Sequence, residues 1–284
     1  MGDTTTVPDS AGEFAATADS VAGLDEVLWN TISTAVLLRS HPRFDERVLD
    51  AYARDGASAL PTAELVGIGG LVDAVEPSES LVSLARERAG ERMPQLQLHV
   101  ADPAEWEPAG YDLVQCVLGV AAFDDVEAGT RHLVERARPG GRVAVAVWAR
   151  DSLDPLPELL AAAIGGSPAA EPDGDPDGRP DEERGGVAEP PHTVSAANTA
   201  GSLAHWLTEL GLADVRAEAV QRHVDLTPEL AWLFVQGTGL HEVVEGLDGA
   251  ELDAVRARYL AAIADADVRA VDATTLIAVG RRPE

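Results

Sequence analysis

Arg47-Val-Leu-Asp50-Ala-Tyr-Ala-Arg-Asp-Gly56 is the stretch that decides the fold. A short apolar run, Val48-Leu49, ends in an acid, Asp50, and Gly56 then opens a helix-like run that reaches Val66. A buried strand, a tight turn and a helix in that order begin a βαβ unit. The turn is unusual. It carries Tyr52 and Arg54, two large side chains, where small residues would let a ligand approach the main chain.

The same alternation continues outward. Before it, Leu24, Val27, Leu28, Ile32, Ala35 and Val36 fall on one helical stripe over 24–38. After it, strands are expected at 71–75, 96–100, 112–117 and 142–148, with helices at 57–66, 80–89 and 127–137 and a turn at Pro139-Gly-Gly141. Further helices are expected at 202–210, 228–236 and 249–264. Strands at 215–220 and 273–280 should pair antiparallel at the sheet edge. Strands alternating with helices imply a parallel sheet covered on both faces. Residues 1–20 read as a loose N-terminus and 21–284 as one domain. An acidic loop rich in Pro, Gly and Asp interrupts that domain at about 165–191.

Composition narrows the function classes. The formal charge is −28, and all positive charge is arginine. Such a chain repels phosphate backbones, and no run of arginines along the sequence opposes that field, so nucleic acid is not an expected partner. No apolar run reaches the roughly 18 residues needed to cross a bilayer, and the N-terminus lacks signal-peptide features, so a cytoplasmic protein without a membrane partner is expected. Cys116 is the single cysteine, and the histidines show no metal-helix spacing, so no metal site is expected.

Three acids end successive strands: Asp50, Glu76 and Asp102. Ligands of open α/β sheets bind at the carboxyl ends of strands. An acid after the second strand suits ribose hydroxyls, and one after the third suits an exocyclic amine. A lone acid there more often caps the next helix, whereas three in register favour a nucleoside site.

In the order and spacing of Glu46-Arg-Val-Leu-Asp50, Gly56–Pro61, Gly70–Glu76, Ala101-Asp102, Tyr111–Cys116, Arg138–Val145 and Ala273–Arg282, the chain resembles a class I S-adenosylmethionine-dependent methyltransferase of the small-molecule type common in actinomycetes. The resemblance implies a Rossmann-like, mostly parallel seven-stranded sheet with an antiparallel C-terminal edge. It implies S-adenosylmethionine as cofactor, held by Asp50, Gly56, Glu76, Asp102 and Cys116 and by the turn positions of Tyr52 and Arg54. Trp29 and Asn30 would match the lid that closes over the cofactor in related proteins, and Phe123 would belong to the substrate or lid residues. Read from residue type alone, Trp29 and Cys116 are packing residues.

The chain departs from the family pattern where glycines are expected. Of three turn glycines only Gly56 remains, and Tyr52 and Arg54 take the other positions. Ala121-Ala122 stand where close relatives carry aromatics. The adenosine half of the site therefore reads as kept and the methionine half as damaged. His41 and His241 are weak candidates for a general base, and no catalytic group is fixed. Three functions stay open: methyl transfer to a small molecule, a binding or regulatory partner that has lost the donor, and another reaction such as a cyclisation. A homodimer, or a heterodimer with an active homologue, is compatible with these readings.

Overall fold

The computed structural model describes residues 24–165, 194 and 197–284. The expected loose N-terminus and nearly all of the expected acidic loop lie outside those residues. Strands β1 (Arg47–Ala51), β2 (Leu71–Glu76), β3 (Leu96–Val100), β4 (Tyr111–Val117) and β5 (Ala137–Trp148) are followed by β6 (Ala213–Val220), a short β7 (His223–Asp225), β8 (Ala270–Asp272) and β9 (Thr275–Arg281). The helices are α1 (Asn30–Ser40), α2 (Ala59–Val66), α3 (Glu79–Ala89), α4 (Val126–Arg136), α5 (Leu156–Gly165), α6 (Ala200–Glu209), α7 (Pro228–Gly237) and α8 (Gly249–Asp265).

The main sheet has seven strands in the order β3-β2-β1-β4-β5-β9-β6. The first five are mutually parallel, and β9 runs antiparallel to both β5 and β6. This is the expected sheet, with the antiparallel pair at its C-terminal edge. Alternation along each strand divides the core. Val48, Val72, Leu113 and Ala144 face α1, α5, α7 and α8 on one side. Leu49, Val75, Val114 and Val145 face α4 and α6 on the other. These strands are apolar on both faces because helices cover both, as in parallel sheets generally.

Three local features differ from the sequence reading. Pro139–Gly141 lies within β5 and bulges it, so that Tyr111 pairs with Ala137 but Leu113 pairs with Arg142. The N-terminal stripe opens as a π-helical turn, Asp25–Trp29, before α1 begins. Helix α5 and the two-stranded β7–β8 ribbon had no clear signal, the first being apolar on most sides and the second only three residues per strand. Among the described residues no helix is long and apolar enough to cross a membrane.

Candidate functional site

The parallel strands β1 to β4 end together, and the turn after β1 crosses their ends. Tyr52, Arg54 and Gly56 have φ of 54°, 52° and 87°. The main chain thus takes left-handed geometry at three alternate positions, two of them held by residues that adopt it at a penalty of roughly 1–2 kcal/mol each. The turn takes left-handed geometry although two of the three positions carry large side chains.

The two side chains fill the crevice in opposite directions. The Arg54 guanidinium lies over the Trp29 ring, 4.1 Å from its centroid, and Nη2 donates to the Gly237 carbonyl at 3.0 Å. It is therefore enclosed by the π-helical turn below α1 and by the end of α7. Burial lowers its pKa, and the nearby Asp55, Glu76 and Asp25 carboxylates oppose that shift. Tyr52 turns the other way, toward β4. Its ring meets Phe123 edge-on with centroids 5.1 Å apart, and its hydroxyl lies 3.4 Å from the Ala122 carbonyl. Gly119 permits this contact, because a Cβ there would come 2.5 Å from the Tyr52 Cβ. Burial raises the Tyr52 pKa, with the Asp102 carboxylate adding to it.

Glu76 ends β2 as expected and is buried. Its two carboxylate oxygens accept the Arg54 and Ser78 backbone N–H groups, each at 3.0 Å. Burial raises its pKa against those hydrogen bonds. Asp50 is fully buried beneath the turn, where Oδ2 accepts from Ser58 Oγ at 2.7 Å and Gln115 Nε2 at 2.8 Å. Burial lifts its pKa to about 6. Asp50 therefore braces the turn from behind and does not reach the crevice. Asp102 is exposed and accepts the Ala104 amide at 2.8 Å as the cap of a short 3-10 turn. Cys116 is buried among apolar residues, and burial raises its pKa.

Trp29 is buried and Asn30 exposed at the start of α1. Phe123 is buried against Tyr52 and Gly129. His241 lies in the 3-10 turn Gly239–Val243, four residues beyond the Gly237 that holds Arg54, and burial lowers its pKa. His41 corrects an expectation. It is exposed at the C-terminal end of α1, and its carbonyl accepts from Arg142 at the start of the core of β5, at the end of the sheet away from Asp50 and Glu76. It cannot act at the strand ends.

Sequence reasoning missed Arg88. This residue of α3 forms ion pairs with both Asp25 and Asp55. It joins the π-helical turn to the turn after β1, and so fixes the Trp29 ring where Arg54 meets it. Both acids are buried, and burial together with Asp55 raises the pKa of Asp25 against the pull of Arg88. The signal was only an Asp-Gly at 55–56 and one arginine in a charge-rich helix.

A 107-residue stretch of the chain is 32% identical to nocamycin O-methyltransferase from Saccharothrix syringae, covering 37% of this chain and 38% of that protein. The match therefore spans well under half of the curated relative. No family model matches the chain. The solved phosphoethanolamine N-methyltransferase 2 of Haemonchus contortus, in complex with phosphomonomethylethanolamine and S-adenosylhomocysteine, superposes with a TM-score of 0.56 at 15% identity, over 97% of this chain and 60% of that one. The fold is that of the class I S-adenosylmethionine-dependent methyltransferases. The [4+2]-cyclase SpnF has the same fold, with a TM-score of 0.50 at 17% identity over 89% of this chain and 81% of its own length.

The fold implies S-adenosylmethionine at the strand ends, and the residues there do not fit it in this arrangement. Side chains of Tyr52 and Arg54 fill the turn where a glycine backbone would meet the donor. Glu76 is not the obstacle: each of its oxygens accepts one main-chain N–H and keeps a second lone pair for a ribose hydroxyl. Tyr52 lies against Phe123, in the segment after β4 that also carries Ala121 and Ala122.

Proposed function

We propose that this chain is a methyltransferase-fold protein that no longer binds the donor and acts as a binding or regulatory partner. One observation carries the reading: the Arg54 guanidinium is stacked on Trp29 and hydrogen-bonded to the Gly237 carbonyl. A cation, an aromatic face and a carbonyl already satisfy one another inside the crevice. A sulfonium donor brought there would be repelled by the guanidinium, or would have to displace it from a desolvated pairing. The π-helical turn and the end of α7 then enclose Arg54 instead of a cofactor. The test is equilibrium dialysis of labelled S-adenosylmethionine against the wild-type protein. No retention at about millimolar donor is the expected result; saturable micromolar binding would overturn it.

A second reading is favoured by the backbone itself. Left-handed geometry persists at 52, 54 and 56, and Glu76 still ends β2, so that an outward swing of two side chains would recreate a donor turn. In that reading the chain methylates a small molecule, in line with its partial likeness to nocamycin O-methyltransferase. Binding of the donor by the unaltered protein is the result that separates the two.

A further inference from the structure

The fold assembles a cationic groove that the linear sequence conceals. In the β5–β9–β6 ladder Arg142 pairs with Arg281, and Arg216 pairs with Val279. The two-residue period of a strand places the arginines of this ladder on the α1 side of the sheet. Helix α1 covers β5 but stops short of β6. This leaves a groove of ≈ 820 Å³ between its last turn and the edge strand. Ile277 and Val279 form part of the lining, and Arg39, His41, Arg43, Arg142, Arg216 and Arg281 contribute to it.

Some of this charge is already used. Arg142 forms a buried pair with Glu46, and Arg39 pairs with Glu218 across the groove. Arg281 donates to the Gly140 carbonyl at 3.1 Å. The guanidinium groups of Arg43 and Arg216 have no hydrogen-bond or ion-pair partner among the described residues, and Asp214 is the remaining acid of the lining. In a chain of formal charge −28, unneutralised arginines gathered around a partly apolar floor are a local reversal of the molecule's own field.

We propose that this groove binds a small anion bearing two or more carboxylate or phosphate groups, with Arg43 and Arg216 as its principal ligands. Guanidinium forks recognise both groups through paired N–H donors. An apolar body on such a ligand would lie on Ile277 and Val279. The groove is at the opposite end of the sheet from Arg54 and Glu76, so the inference stands independently of the function proposed for the crevice.

The test is isothermal titration of citrate and of inorganic pyrophosphate into the full-length protein at low ionic strength, with sodium chloride at matched ionic strength as control. Saturable binding of at least one of the two is expected, with a rise in melting temperature by mass action. Arg43→Gln/Arg216→Gln should weaken it about tenfold or more, and Arg86→Gln, an exposed arginine of α3, should leave it unchanged. Both test residues are exposed, so unliganded melting temperatures should match and show that the variant is folded. Heats no larger than those of chloride, or binding equally strong in the double variant, would overturn the proposal.

Discussion

Arg54 and Asp50 sit four residues apart and show two ways a polar side chain is held in a crowded place. Arg54 is held by a ring and a carbonyl, in a left-handed conformation that glycine adopts freely. Arg54→Gly removes backbone strain but also the stacking, two effects of similar size, roughly 1 kcal/mol each. Its chemical-denaturation midpoint should therefore lie close to wild type, whereas Arg54→Ala loses the stacking and keeps the strain, and should be the less stable of the two variants. Asp50 has no cation beside it among the described residues. Its pKa rises from 3.8 to about 6 on folding because burial disfavours the carboxylate. The folded state then binds more protons than the unfolded state between those values. Stability from this group is full below pH ~4 and falls as pH rises through about 6, by roughly 3 kcal/mol. Urea unfolding at pH 4.5 and 7.5 checks the sign: Asp50→Asn should gain on wild type at the higher pH, and an equal difference at both pH values would contradict the assignment.

At the scale of elements, two arginines hold the ends of α1 to the sheet. Near its start, Arg88 links Asp25 to Asp55. Arg88→Ala should loosen the Asp25–Trp29 turn, seen as faster amide exchange there with little change in β4 or β5. At its end, Arg142 donates to both oxygens of Glu46 and to the Ser40 and His41 carbonyls. Arg142→Ala leaves the Glu46 carboxylate unpaired and should lower stability by about 3–5 kcal/mol in denaturant titration. Elements with a clear period were legible in the sequence. Val48-Leu49, Leu96–Val100 and the capped α8 lie where the residues put them, because alternation, stripe and cap all agree. The bulge at Pro139–Gly141 was not legible, since its turn residues serve a strand that continues past them. The π-helical turn was not legible either, because the four-residue spacing of Leu24, Leu28 and Ile32 suits an ordinary helix as well.

The whole molecule combines a familiar sheet with a redistributed charge. Its formal charge of −28 predicts self-repulsion, so raising sodium chloride from low to moderate concentration should raise the melting temperature until screening is complete. A flat or falling melting temperature would show that local arginine pairs dominate. The fold could be read from the order of strand-ending acids and turns. The candidate site was only half legible. Asp50, Glu76 and the altered turn were visible, but the directions of the Tyr52 and Arg54 side chains depend on Phe123, Trp29 and Gly237, which come from distant parts of the chain. For the same reason the groove around Arg43 and Arg216 has no linear signature. Tyr52 and Arg54, side chains of the protein itself, occupy the turn at the strand ends where a donor would lie. Calorimetric titration of S-adenosylhomocysteine into wild type and Tyr52→Gly/Arg54→Gly tests that occupancy most directly. Wild type should give no heat of binding and the double variant saturable binding; tight binding to wild type that the two glycines do not improve would overturn it.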